Sequence, residues 1–333
     1  MWGKAQAPVV MGTSEAINVL LQVLLGKRAP LDPATAQPVG PMDGASFIGP
    51  LLVISCGMLV VLLALQALGA VIAGALGLRR SKKTKFAHTF SEMCYYVFSV
   101  LSLSRLFWDA GWFWPSGWHE VMFDGRVQQT AILRPYTAPA DLKMFYMVET
   151  SYYVSSFVLL LVRPKKKDFV EMAFHHVVTA SLLLLSYTTG YMRIGAVVMY
   201  LHNIFDPFML FAKCTHYAGI PVLPDVSFAI CAGAFAVPRL YFYPSAIHYA
   251  WLGVCVGNKT CPGGVWDKTP VEFSLIGLLV ALLPIHVFWF IMIVKVLVTA
   301  LSSKGVQGDV RSDSEGEDEP ATRDPPDPAK KHT

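Results

Sequence analysis

Residues 44–78 read GASFIGPLLVISCGMLVVLLALQALGAVIAGALGL, without a single charge. About 20 apolar residues are enough to cross the hydrocarbon of a bilayer, so this stretch reads as a membrane span. It starts too far from Met1, and runs too long, for a cleaved signal peptide. The composition of the 333-residue chain agrees: 54% is apolar and only 15% charged, against about 45–50% and 25% in soluble domains. A soluble globular enzyme is excluded. Further apolar stretches at roughly 86–107, 143–163, 169–190, 194–212, 226–243 and 272–300 bring the expected total to about seven spans. The expectation is an all-α polytopic membrane protein, divided into an N-terminal segment (1–45), a first span (46–78), a six-span body (79–305) and an acidic tail (306–333). No nucleic-acid partner is expected.

Short loops rich in Lys and Arg face the cytosol. Arg79, Arg80, Lys82, Lys83 and Lys85 follow the first span, Lys165, Lys166 and Lys167 follow the third, and Lys213 ends the fifth. The N-terminus and the loops 108–142 and 244–271 are then lumenal, and the C-terminus cytosolic. Two features of the second loop fit that side. Asn258-Lys259-Thr260 is a glycosylation sequon, and Cys255 and Cys261 flank it as a candidate disulfide pair in an oxidising compartment. The chain's net charge of +4 conceals a positive body and a negative tail from Asp309 onward. That tail is Pro-rich and acidic, too poor in apolar residues to fold. Ser312 and Ser314 each have a glutamate three residues on, which marks both as phosphorylation candidates.

Ionisable residues inside spans are costly and usually functional. His175 lies eight residues into the fourth span from the cytosolic side, roughly 12 Å deep. Asp206 lies seven residues before Lys213, roughly 10 Å deep. A tight turn near Gly190 joins these antiparallel spans, so His175, His176, His202, Asn203 and Asp206 meet at one level, open to the cytosol. Imidazole works as base or nucleophile near neutral pH, and an acid can stabilise its cation, which suits acyl transfer from an activated ester to an amine or hydroxyl. A mononuclear metal site on His175, His176, His202 and Asp206 is the rival arithmetic. Membrane di-iron lipid oxidases need several histidine boxes, and the nine histidines here are scattered. No metal is assigned. Arg239 is read as structural, pairing with an acid such as Glu149, and Pro244 as bending or ending its helix. Four tryptophans between Trp108 and Trp118 read as an interfacial belt.

The run Lys166-Lys167-Asp168-Phe169, the pair His175-His176, Leu201-His202-Asn203 through Asp206, and Ala212-Lys213 closely resemble the Lag motif of ceramide synthases, within the wider TLC-domain family. Arg239-Leu240-Tyr241 followed by Pro244 is similar to a second element of that family. The resemblance covers about residues 80–305. It implies six spans enclosing a lipid cavity in a TLC-type barrel, with the first span packed outside, in the endoplasmic reticulum membrane. It also implies N-acylation of a sphingoid base (sphinganine, sphingosine or phytosphingosine) by fatty acyl-CoA, a co-substrate and not a resident cofactor. His175, His176 and Asp206 carry over as catalytic residues, with His202 and Asn203 supporting. CoA phosphates are expected near Arg79, Arg80, Lys82, Lys83 and Lys165–Lys167. The surrounding membrane lipids are partners, and the sequence leaves a homodimer open. One position departs from the motif: Asn203 stands where the first Lag aspartate is expected, and an amide can hydrogen-bond but cannot carry charge. On the motif alone, Asn203→Asp is expected to keep or raise activity. The alternative reading, a non-catalytic TLC-domain protein that binds, senses or moves lipid, draws its main support from that same departure.

Overall fold

The computed structural model describes residues 44–118, 121–124, 127–130, 140–220, 230, 232–252, 254–256 and 270–302. Helix α1 spans Gly44–Ala75, α2 Arg80–Phe107, α3 Ala140–Val162 and α4 Phe169–Thr189. They are followed by α5, Met192–Asn203, and α6, Asp206–Tyr217. A π-helical turn, Val237–Phe242, leads into α7, Tyr243–Leu252, and α8, Pro270–Ser302, closes the described chain. Five segments among the described residues are long and apolar enough to cross a membrane: Gly49–Ala75, Asp141–Val162, Phe169–Thr189, Met192–Tyr217 and Pro270–Val298. The protein is thus a helical multi-pass membrane protein. Helix α2 covers the expected 86–107 span but is less apolar than these five, because that stretch carries Glu92, Arg105, His88 and several Ser, Thr and Tyr residues. The expected 226–243 span falls partly outside the described residues.

Sequence explains where the helices stop. Gly190, with φ +83°, ends α4 in the left-handed region, a conformation open to glycine at little cost. Two residues later α5 begins. The expected 194–212 span is not one continuous helix, because Pro207 stands at the second position of α6. A proline lacks an N–H and clashes one turn back, so the rod breaks at Ile204 and Phe205. A second proline, Pro238, sits in the π turn. The chain stays helical through Pro244 as far as Leu252, and the π turn directly before it covers Leu240, one turn back, where a proline at 244 disturbs the helix.

Helix α1 packs on α2 and α3, α2 on α6, and α4 on both α3 and α8. Much of α1 faces outward, with Leu52, Val60 and Val71 exposed, as a lipid-facing helix requires. The core lies between the other helices, around fully buried Phe145, Tyr146 and Met192. Tyr146 donates from its hydroxyl to the Met192 carbonyl at 3.0 Å, which ties α3 to the start of α5.

The two loops read as lumenal contain strands that helical periodicity does not reveal. β1 (Val121–Asp124) pairs antiparallel with β2 (Val127–Thr130). β2 in turn pairs with β3 (Val254–Val256), Gln128 lying opposite Cys255. Strands hydrogen-bonded to each other lie on one side of a bilayer, so the two loops share a face. Trp118, at 1% exposure, donates to the Phe113 carbonyl and belongs to the core, whereas Trp108 is exposed. The belt reading holds for only part of that cluster. Asn258, Cys261, Ser312 and Ser314 lie outside the described residues, and so does the side chain of Cys255.

Candidate active site

A cavity of about 280 Å³ opens between the helices, and His175, His176, His202 and Asp206 line it together. Its wall also takes Leu62 and Gln66 from α1, Tyr96 from α2, Tyr152 and Tyr153 from α3, and Trp289 from α8. Helix α1 therefore contributes to the enclosure and does not merely pack outside it.

Helix α4 carries His175 and His176 on consecutive positions, each 7% exposed. Their ring centroids are 5.9 Å apart. Tyr153 braces both rings from α3, at 6.1 Å and 5.6 Å, and Trp289 packs edge-on against His175 at 5.2 Å. The Nδ1 atoms of both histidines are buried with no hydrogen-bond partner among the described residues. A buried polar nitrogen without a partner is costly, and Nε1 of Trp289 and Nε of Arg239, on the same cavity wall, share that state.

His202 behaves differently. Its Nδ1 lies 2.8 Å from the Val198 carbonyl, which can only accept, so Nδ1 carries the hydrogen. Its Nε2 lies 2.9 Å from Nε2 of His286. In the neutral ring that Nε2 is then an acceptor, and His286 must donate to it. Both nitrogens of His202 are thus occupied, and the ring is wall rather than reagent. It separates the main cavity from a smaller apolar pocket lined by Leu183, Met199, Leu279 and Leu282. His286, fully buried on α8, was visible in the sequence only as one more intramembrane histidine. Its pairing needs α8 folded against α5.

Asp206 does not touch an imidazole. Its Oδ2 accepts from Nη2 of Arg239 at 2.8 Å, and the same nitrogen donates to the His202 carbonyl. The Arg239 guanidinium sits against the perpendicular Phe205 and Phe235 rings, 5.2 Å and 4.9 Å from their centroids. A cation held against aromatic rings while one terminal nitrogen donates twice is a setting that suits a guanidinium. The expected pairing of Arg239 with Glu149 is therefore corrected. The break at Ile204–Phe205 and the π turn carrying Arg239 bring Arg239 to Asp206 instead. Glu149 is held by Tyr95, Ser99 and Asn203. Asn203 is fully buried and does not line the cavity.

At the end of the cavity near Pro164 and His216, Arg163, Lys166 and Lys213 line the wall, and Arg163 pairs with Glu92 at 3.1 Å. Of the basic residues expected to meet phosphates, Lys166 is at this mouth. Arg80 and Lys83 line a separate groove between α1 and α2, and Lys165 sits over the Phe169 ring at 4.9 Å. Arg79, Lys82 and Lys167 line neither space. Arg163 and Lys213 were legible in the sequence as basic residues at span ends, but their convergence on one opening required the fold.

A family model described as the TLC domain matches residues 85–295. The chain belongs to the TLC-domain family. It is 30% identical over 254 residues to ceramide synthase 1 LOH3 of Arabidopsis thaliana, an alignment covering 72% of this chain and 77% of the relative. It is 30% identical to human ceramide synthase 5, over 71% of this chain and 57% of the relative. Mouse ceramide synthase 4 is 29% identical, over 74% of this chain and 60% of the relative. The chain thus spans less than two thirds of these two animal relatives.

Proposed function

We propose that this TLC-domain protein is a ceramide synthase that transfers a fatty acyl group from acyl-CoA to the amine of a sphingoid base in the endoplasmic reticulum membrane. The observation that carries the reading is the pair of unpartnered imidazole nitrogens, His175 Nδ1 and His176 Nδ1, in a cavity whose wall also carries Arg163, Lys166 and Lys213 alongside Glu92 and Asp168. An acyl chain and a sphingoid chain fit the apolar wall. The nucleotide phosphates of CoA stay in water near Arg163, Lys166 and Lys213, where the positive field favours them.

In the transfer, the amine nitrogen forms a bond to the thioester carbonyl carbon, the carbon–sulfur bond breaks, and the amine proton passes by way of an imidazole to the departing sulfur. A sphingoid amine is mostly protonated at neutral pH, so a base has to act on it. A histidine that first accepts the acyl group as an acyl-imidazole reaches the same products in two steps. Arg239 holds both the His202 carbonyl at the end of α5 and the Asp206 carboxylate, which fixes this part of the cavity wall. The sequence similarity to proteins named ceramide synthase supports the same reading.

The test is purified protein given a sphingoid base and acyl-CoA, with ceramide read by mass spectrometry. Ceramide should form, and His175→Ala and His176→Ala should each cost at least about 10²-fold in rate, the usual share of a positioned acid–base group. Full activity in both variants would remove the site. Absence of product from the wild type, together with saturable binding of the sphingoid base, would favour the lipid-binding alternative. Intact-protein mass after acyl-CoA alone separates nucleophile from base.

A further inference from the structure

Beside the cavity, and outside the chemistry above, lies a closed polar cluster of four side chains from three helices. Glu149 of α3, Asn203 of α5 and Ser99 of α2 are fully buried, and Tyr95 of α2 is nearly so. The Tyr95 hydroxyl donates to Glu149 Oε2 at 2.6 Å, and Ser99 donates to the same oxygen at 3.1 Å. Asn203 Nδ2 donates to Glu149 Oε1 at 2.6 Å and to the Ser99 oxygen at 2.7 Å. Both amide hydrogens are used, and every donor leads to Glu149. With Glu149 ionised, turning the amide over would set its oxygen against a carboxylate oxygen, which fixes its orientation. Asn203 Oδ1 is left buried without a partner among the described residues. The pattern matches an acceptor-only carboxylate, with the short charge-assisted bonds that a buried charge requires.

We infer that Glu149 is a positioning residue of the candidate active site, and that residue 203 serves as its hydrogen-bond donor. Asn203 is the last residue of α5, and the helix breaks directly after it. The carbonyl of the preceding residue, His202, and the carboxylate of Asp206 just past the break are both gripped by Arg239. Anchoring residue 203 to α2 and α3 therefore holds the end of α5 against its neighbours just before the proline break, and with it the placement of His202 and Asp206 in the cavity wall. The contact reverses what the motif alone suggests for Asn203→Asp. An aspartate there would put a second carboxyl against Glu149, and two carboxylates in contact cannot both ionise. They stay together only while they share a proton, and rising pH removes it.

Ionisable side chains on the elements around this cluster include Glu92 and Tyr96 of α2, Tyr152 and Tyr153 of α3, His175 and His176 of α4, His202 of α5, Asp206 of α6, Arg239 of the π turn and His286 of α8. Helix α1 carries no Asp, Glu, Lys, Arg, His or Tyr. These groups are common to the wild type and the variants, so a difference in pH profile between them reports on the pair at 149 and 203.

The experiment compares the wild type, Asn203→Asp, Glu149→Gln and the double variant by thermal unfolding and by ceramide formation, at pH 6 and pH 8. The activity arm rests on the function proposed above, and the unfolding arm does not. Asn203→Asp should lose melting temperature and kcat, more than KM, on going from pH 6 to pH 8, by up to about tenfold in rate relative to the wild type for each pH unit above the apparent pKa of the pair. In the double variant a glutamine amide supplies the donor to the new aspartate, and the extra pH dependence should vanish. The inference is overturned if Asn203→Asp follows the wild type at both pH values in both measurements. It is equally overturned if the double variant is as pH-sensitive as the single one. Should Asn203→Asp fail to fold, recovery of folded protein in the double variant supports the pair, and no recovery overturns it. If even the wild type makes no ceramide, the unfolding arm still decides the question.

Discussion

At the scale of single residues, the two Lag-type histidines and His202 are chemically alike in the sequence and different in the fold. His175 and His176 keep a nitrogen without a partner, while His202 has both nitrogens bound. The direction of the His202–His286 bond gives a sharp expectation. His286→Phe removes the donor and leaves a buried acceptor unpaired, which should destabilise the protein by about 1–3 kcal/mol and lower kcat. His286→Gln, whose amide nitrogen reaches close to the position of imidazole Nε2, should keep most of both. Thermal unfolding with parallel rate measurements checks this, and equal losses in the two variants would mean that shape matters and the donor does not. The intramembrane histidines and Asp206 were legible in the sequence because charge and imidazole inside apolar runs are costly to bury. Which nitrogen is free was not, because that depends on carbonyls and rings from other helices.

At the scale of elements, the turn at Gly190 and the break before Asp206 are local and follow from glycine and proline. The close approach of α3 to α5 is not local. A Cβ added at Gly195 would collide with the Tyr146 hydroxyl and ring and press on Ser186, and Tyr146 is fully buried and committed to the Met192 carbonyl. Gly195→Ala should therefore cost about 1–3 kcal/mol, as overpacking of a tight core does. The measurement is the shift in unfolding midpoint, and Gly233→Ala is the control, since a Cβ there meets nothing within 4 Å. An equal effect at both positions would point to helix propensity. The π turn belongs to this scale too. Pro238 can be read from the sequence, but its consequence, Arg239 swung onto Asp206 rather than Glu149, comes from the element it packs against.

At the scale of the whole molecule, pairing of β2 with β3 places the loops 108–142 and 244–271 on one face, and the basic span ends converge on the opposite mouth of the cavity. If the strand face is lumenal, Asn258 should carry a glycan when the protein is made in a eukaryotic host. A glycosidase-sensitive mass shift, lost in Asn258→Gln, is the expected result. Its absence, with an introduced sequon near Lys166 glycosylated instead, would invert the topology.

The sequence by itself determined that this chain lives in a bilayer, roughly where its helices run, and which few polar residues lie within them. Each of those conclusions rests on the local energetics of burying charge and backbone, which a linear stretch of residues already expresses. Only the tertiary structure decided that Arg239 holds Asp206, that His286 pins His202, that Asn203 donates to Glu149, and that α1 supplies part of the cavity wall. Partners such as Asn203 and Glu149 stand 54 residues apart, and buried polar groups take whichever partner packing brings within hydrogen-bond reach. Helix-period patterning says which face is apolar, but not which neighbour will meet it.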